Sequence, residues 1–161
     1  MSSVKELEEK VTELLKEIET LKQQEKAEEF TYPFEKYERY WLVDEKGKIA
    51  KYRWNYLDYD KPRYDQGHIF KTKEEAERER DRRALLTRFR QFRDKCNGLW
   101  TPGTYECKYF IAYDGSKKVL ESSWNDVWDN FNTFGYFYNE RHCLRAIELF
   151  GDEIKRLYVE E

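Results

Sequence analysis

At 161 residues the chain has room for one folded domain and an appendage. Charged residues make up 39% and aromatic residues 17%; the aromatic share excludes a wholly disordered chain and calls for a small aromatic-rich core under a charged surface. The net charge of -3 excludes a uniformly basic nucleic-acid coat, and three cysteines with no CxxC spacing exclude a disulfide framework.

The first element is a helix with a heptad seam. Val4, Leu7, Val11, Leu14, Ile18 and Leu21 recur at alternating spacings of three and four. β-branched residues take the a positions and leucines the d positions, a choice that favours two strands in parallel coiled coils. Glu17 at g and Lys22 at the following e suit an interchain pair, and Leu15 at e widens the apolar stripe. The seam stops where Glu25 and Glu28 take the next a and d places, so residues 1–28 read as a dimerisation helix. Pro33 ends any helical extension.

Next come two similar stretches. Tyr40-Trp41-Leu42-Val43-Asp44, a turn with Gly47, and Ile49 to Trp54-Asn55 form one hairpin pattern. Phe110-Ile111-Ala112-Tyr113-Asp114, a turn with Gly115, and the run to Trp124-Asn125 form another. Asp44 aligns with Asp114, and Trp54-Asn55 with Trp124-Asn125, at one constant offset. On the second strand Ala50, Tyr52 and Trp54 share a face and Lys51 and Arg53 the other. Each hairpin leads into an aromatic, Asp-rich stretch, then a glycine (Gly67 or Gly135), a short β-type run and a helix start.

Thr72 with Glu75 spells a capping box and Asn139 takes the matching cap position. Ala76 and Cys143, four residues past each cap, suit a close helix–sheet crossing. The first helix is expected from Lys73 to Lys95, with Ala76, Leu85, Phe89 and Phe92 inward and Asn97-Gly98 as its stop. The second is expected from Glu140 to Phe150, with Leu144, Ile147 and Phe150 inward and Gly151 ending it. The expected fold class is α+β: an N-terminal coiled-coil helix, then two tandem β-hairpin/short strand/helix repeats over 29–99 and 100–161.

No catalytic constellation emerges. His142 and Cys143 are adjacent on a helix and diverge by about 100°. No HExxH, CxxC, EF-hand or Gly-rich phosphate loop is present, and Asp58, Asp60 and Asp65 are spaced by tyrosines and Pro62 in no known cation pattern. The expectation is a non-enzyme without metal or cofactor.

Two binding chemistries remain. Tyr56, Tyr59, Tyr64 and Trp128, with Asp126 and Asp129, exceed what a small core takes up and match residue types enriched at protein-binding hot spots. Arg83, Arg88, Arg90 and Arg93, in the Arg-rich helix over 78–95, form a basic stripe beside Phe89 and Phe92 and offer a nucleic-acid surface as the alternative. A solvated, internally paired helix face explains the same arginines. From Tyr105 onward eleven acidic residues face seven basic ones, a balance suited to mimicking nucleic acid.

The string Gly67-His68-Ile69-Phe70-Lys71-Thr72-Lys73-Glu74-Glu75-Ala76-Glu77, after a strand pair opened by Tyr40-Trp41 and closed by Trp54, resembles small accessory proteins encoded by phages and mobile elements of Gram-positive bacteria. The hairpin Lys108 to Asp114 is similar to theirs as well. The resemblance spans about Tyr40 to Val159. It implies a mobile-element context and a non-enzymatic protein that inhibits a host protein, such as a defence target in the anti-CRISPR manner. A structural or assembly role is the third reading. The expected partners are a second copy through the N-terminal helix and a host protein, with nucleic acid as the alternative. No membrane is expected, and residence is expected in the cytoplasm of the bacterial host cell, since the charged N-terminal helix lacks the apolar core of a signal peptide.

Overall fold

A computed structural model describes residues 2–29, 31–127 and 132–160. The chain is α+β, with two small antiparallel sheets and four α-helices among the described residues. In order they are α1 (Ser2–Glu29), β1 (Arg39–Val43), β2 (Ile49–Arg53), α2 (Asp60–Asp65), β3 (Ile69–Phe70), α3 (Lys73–Asn97), β4 (Lys108–Asp114), β5 (Val119–Asn125) and α4 (Glu140–Ile154). A π-helical turn, Lys155–Val159, extends α4. No described helix is long and apolar enough to cross a membrane. The chain divides into two compact units, Met1–Arg39 with Arg53–Gln66, and Tyr40–Tyr52 with Gly67–Glu161.

In the first unit, α1 exposes every side chain from Ser3 to Gln24. The rest is an aromatic cluster around Trp54, which is fully buried. Phe34 stacks on the indole at 5.3 Å between ring centroids, Tyr32 tilts against it at 5.4 Å, and Tyr56 and Tyr64 meet it edge-on at 5.8 and 6.4 Å. Edge and offset contacts of this kind suit the ring quadrupoles. The backbone beneath is pinned by a bulge: Tyr37 N–H donates to the Trp54 carbonyl (2.7 Å) and Trp54 N–H donates to the Glu38 carbonyl (2.8 Å). Tyr37 takes a left-handed conformation, φ 70°, at the third position of the turn closed by Glu38 N–H on the Glu35 carbonyl.

The Asp-rich stretch, expected as a polar loop, holds the short helix α2. Pro62 fits its first turn, where an amide N–H would lack a helical partner anyway. Asp60 is fully buried, and its Oδ2 accepts the N–H groups of Asn55 (3.0 Å) and Leu57 (3.2 Å).

In the second unit, the order of the first sheet is β2-β1-β3, with Leu42 opposite Ile69 and Trp41 opposite Phe70. β4 and β5 pair from Lys108 opposite Asn125 to Asp114 opposite Val119. Phe137 adds a single bridge to Tyr109 on the other edge of β4. The two hairpin turns are built alike. Asp44 Oδ1 accepts the N–H groups of Lys46 and Lys48, and Asp114 Oδ1 accepts those of Ser116 and Lys117.

The main core joins α3, α4 and the β4–β5 sheet: Leu85, Phe89, Ile111, Phe134, Phe137, Cys143, Ala146, Ile154 and Leu157 are all buried. Thr72 accepts Glu75 N–H at 3.1 Å while Glu75 Oε2 accepts Thr72 N–H at 3.2 Å, completing the expected capping box. Asn139 caps α4 by accepting Arg141 N–H. Ala76 and Cys143 are both fully buried, as their spacing from the caps requires. Phe92 is half-buried against the core.

Three expectations are corrected. Gly151 does not end α4. It lies inside the helix, buried, where a Cβ would meet Leu120 at 3.6 Å and Ile147 at 3.5 Å. Leu144 faces outward, 47% exposed, because Cys143, Ala146 and Ile147 take the sheet-facing stripe. Trp54 and Trp124 are not equivalent: Trp54 is caged in rings, while Trp124 is 62% exposed on β5. The two halves share a succession of hairpin, short β pairing and capped helix. The third pairing meets β1 at Trp41 and Leu42 but β4 at Tyr109, nearer the strand's start.

Candidate partner-binding surfaces

The most conspicuous exposed apolar surface is α1. Val4, Leu7, Val11, Leu14, Leu15, Ile18 and Leu21 are 47–61% exposed. In proteins most helical stability comes from packing an amphipathic face. Here that face is continuous and unburied from Val4 to Leu21, about five turns of the helix.

The second surface belongs to the aromatic cluster. Tyr56 and Tyr59 stand exposed, as expected, and Tyr37 and Leu57 join them. Tyr56 also holds a left-handed backbone, φ 55°, and its hydroxyl donates to the Phe34 carbonyl at 3.3 Å. Cations cover the neighbouring rings: Lys36 over Tyr37, Lys61 over Tyr32 and Arg63 over Tyr59, at 5.2, 5.6 and 4.9 Å from the centroids. Burial and the adjacent Asp65 carboxylate raise the pKa of the Tyr32 phenol.

Tyr64 is less exposed than Tyr56 and Tyr59. Its ring is half-buried, edge-on to Tyr32, Phe34 and Trp54, so its work is to close the cluster. Asp126 is exposed but belongs to the other unit. Trp128 and Asp129 lie outside the described residues. Tyr37 and Leu57 escaped the sequence reading. The run of polar residues around Tyr37 hides a turn that turns its ring outward, and only the buried neighbour Trp54 identifies it.

The arginines of the stripe bond largely within the chain. Arg83 donates to Glu79 (3.0 Å) and to the Gly67 carbonyl. Arg88 grips both oxygens of Glu153 at 2.7 and 2.8 Å. Arg93 donates to Asp94 (2.7 Å) and to the Phe134 carbonyl (3.1 Å). Arg82 adds a bond to the Leu157 carbonyl at 2.7 Å and lies over the Tyr158 ring. Of the four expected nucleic-acid ligands only Arg90 is exposed without an ion pair among the described residues. α3 is thus tied by its guanidinium groups to β3's approach, to α4, and to the loop before Phe137.

The fold also constrains two of the thiols and one imidazole. Burial pushes the Cys96 and Cys143 thiols above their ordinary pKa, the opposite of what a nucleophilic thiolate needs. His68 Nδ1 lies 2.8 Å from the Val43 carbonyl, which fixes it as a donor. Among the described residues no group of three His, Cys, Asp or Glu side chains is placed to hold a metal ion.

Comparison with protein-family models, with curated proteins and with solved structures gives no match.

Proposed function

We propose that the chain is a non-catalytic accessory protein of a phage or mobile element that acts as a homodimer, paired through α1, and inhibits a host protein by docking its exposed tyrosines. The observation that carries this reading is the seven-residue apolar stripe of α1, open along its whole length beside a set of exposed rings elsewhere in the same unit. Tyr56 and Tyr59 supply contact area at low entropic cost, and Arg63 and Lys61 supply the charged rim. The hairpin and capped-helix motifs that resemble mobile-element proteins support the context, and a defence enzyme is the target class that context favours. Nucleic-acid binding is the second reading, because Arg83, Arg88 and Arg93 bond within the chain.

The test is affinity capture from a bacterial host with the intact protein and with Tyr56→Ala/Tyr59→Ala, followed by assay of the captured protein's activity. The expected outcome is a saturable complex that lowers that activity, with the double variant at least tenfold weaker. Tight binding to duplex DNA or RNA that falls steeply with salt, and no such complex, would favour the arginine helix instead.

A further inference from the structure

We infer that two copies of α1 pair in parallel and in register, so that both chains leave the coil side by side at Glu29 and the dimer is bivalent from one end. The inference rests on the dimeric reading above and adds direction and stoichiometry to it.

Two arrangements bury all six seam residues. In the parallel one, each of Val4, Leu7, Val11, Leu14, Ile18 and Leu21 meets its own copy. In the antiparallel one, Val4 meets Leu21 of the partner subunit, Leu7 meets Ile18 of the partner subunit, and Val11 meets Leu14 of the partner subunit. Flanking charges are satisfied either way. Parallel pairing puts Glu17 beside the partner's Lys22 twice over, and antiparallel pairing puts Lys10 beside the partner's Glu17 twice over.

Leu15 decides between them. It sits at e, 60% exposed, and needs cover as much as the seam does. In parallel pairing its neighbour is the partner's Lys10, whose methylene stem lies along apolar surface while the ammonium reaches water. In antiparallel pairing its neighbour is the partner's Glu8, a shorter side chain that brings a carboxylate to an apolar contact. Once the pairing is parallel, layers of Val, Val and Ile alternating with layers of Leu set the number of strands at two.

The experiment uses the full chain carrying Cys96→Ser and Cys107→Ser, which removes the half-buried and exposed thiols and leaves the buried Cys143. Val4→Cys is then introduced alone, or in one of two mixed populations with Leu21→Cys in the other. Under mild oxidation Val4→Cys alone is expected to give a disulfide-linked dimer, because the two thiols face each other across one layer. In an antiparallel coil they would lie seventeen residues apart, about 25 Å along the axis. A link formed only between Val4→Cys and Leu21→Cys chains would overturn the parallel direction. A sedimentation mass of three or more chains would overturn two-strandedness. A monomer mass, 19.9 kDa for the unmodified chain, would overturn the dimeric reading itself.

Discussion

At the scale of single residues, two carboxylates carry more structure than their exposed neighbours suggest. Asp60 is buried with two backbone N–H groups on one oxygen, so removing the carboxylate orphans both donors beneath the Trp54 cluster. Asp60→Ala is expected to cost about 2–3 kcal/mol, read as a lower urea midpoint with an unchanged slope. Asp114 works at a surface turn. Hydrogen bonds from Ser116 and Lys117 hold its pKa down at about 2. A carboxyl whose folded pKa lies below its unfolded value stabilises the fold above the unfolded value, and that contribution fades as pH falls toward 2. An NMR titration should place the Asp114 midpoint near 2 and show the β4–β5 turn loosening on the same curve. A midpoint near 4 would mean the Ser116 and Lys117 bonds are not held in solution. The capping roles of Thr72, Glu75 and Asn139 were legible in the sequence because a cap is decided within three or four residues. Asp60 was not, because nothing local distinguishes it from Asp58 and Asp65, and its burial is decided by the packing of the whole cluster.

At the scale of elements, α4 shows why glycine misleads when read locally. Gly151 has the signature of a helix stop, yet α4 runs through it to Ile154. The neighbours of its absent Cβ stand at 3.5 and 3.6 Å, ordinary contact distances, so one methyl group fits without displacing Leu120 or Ile147. Gly151→Ala should therefore raise stability by up to about 1 kcal/mol through helix propensity alone. Gly151→Leu should lower it by overpacking the crossing. A fall in melting temperature for the alanine variant would show that the crossing is tighter than these distances. Gly135 is the opposite case. Its φ is +73° and a Cβ would stand 2.5 Å from Arg93 Nη1, so a side chain there both strains the backbone and displaces the guanidinium from the Phe134 carbonyl. The hairpins, α3 and the start of α4 were readable from periodicity and turn residues. The unlike fates of Trp54 and Trp124 were not, because matching local strings do not dictate what packs over them. Tyr32 and Phe34, which bury Trp54, precede the first hairpin and have no counterpart in the aligned strings.

At the scale of the whole molecule, pairing through α1 would set the protein's valence. A parallel α1 pair makes every surface of the chain occur twice, tethered at one end, so binding of the second site is intramolecular and governed by effective concentration. For a partner that is itself multimeric or held on a surface, the gain is about 10²- to 10⁴-fold without any new contact. Leu7→Glu/Leu14→Glu places like charges in the seam of a paired coil and leaves Tyr56, Tyr59 and the rest of the aromatic cluster untouched. In the full chain this variant should sediment as a monomer and lose that factor on an immobilised partner. Its affinity for the same partner free and monomeric in solution should stay within about twofold of the unmodified chain. Tyr56→Ala/Tyr59→Ala should weaken both measurements equally, since hot-spot loss acts on each site separately. If the seam variant loses affinity in solution as well, α1 contacts the partner directly, and the apolar stripe is a binding face for that partner instead of a dimer seam.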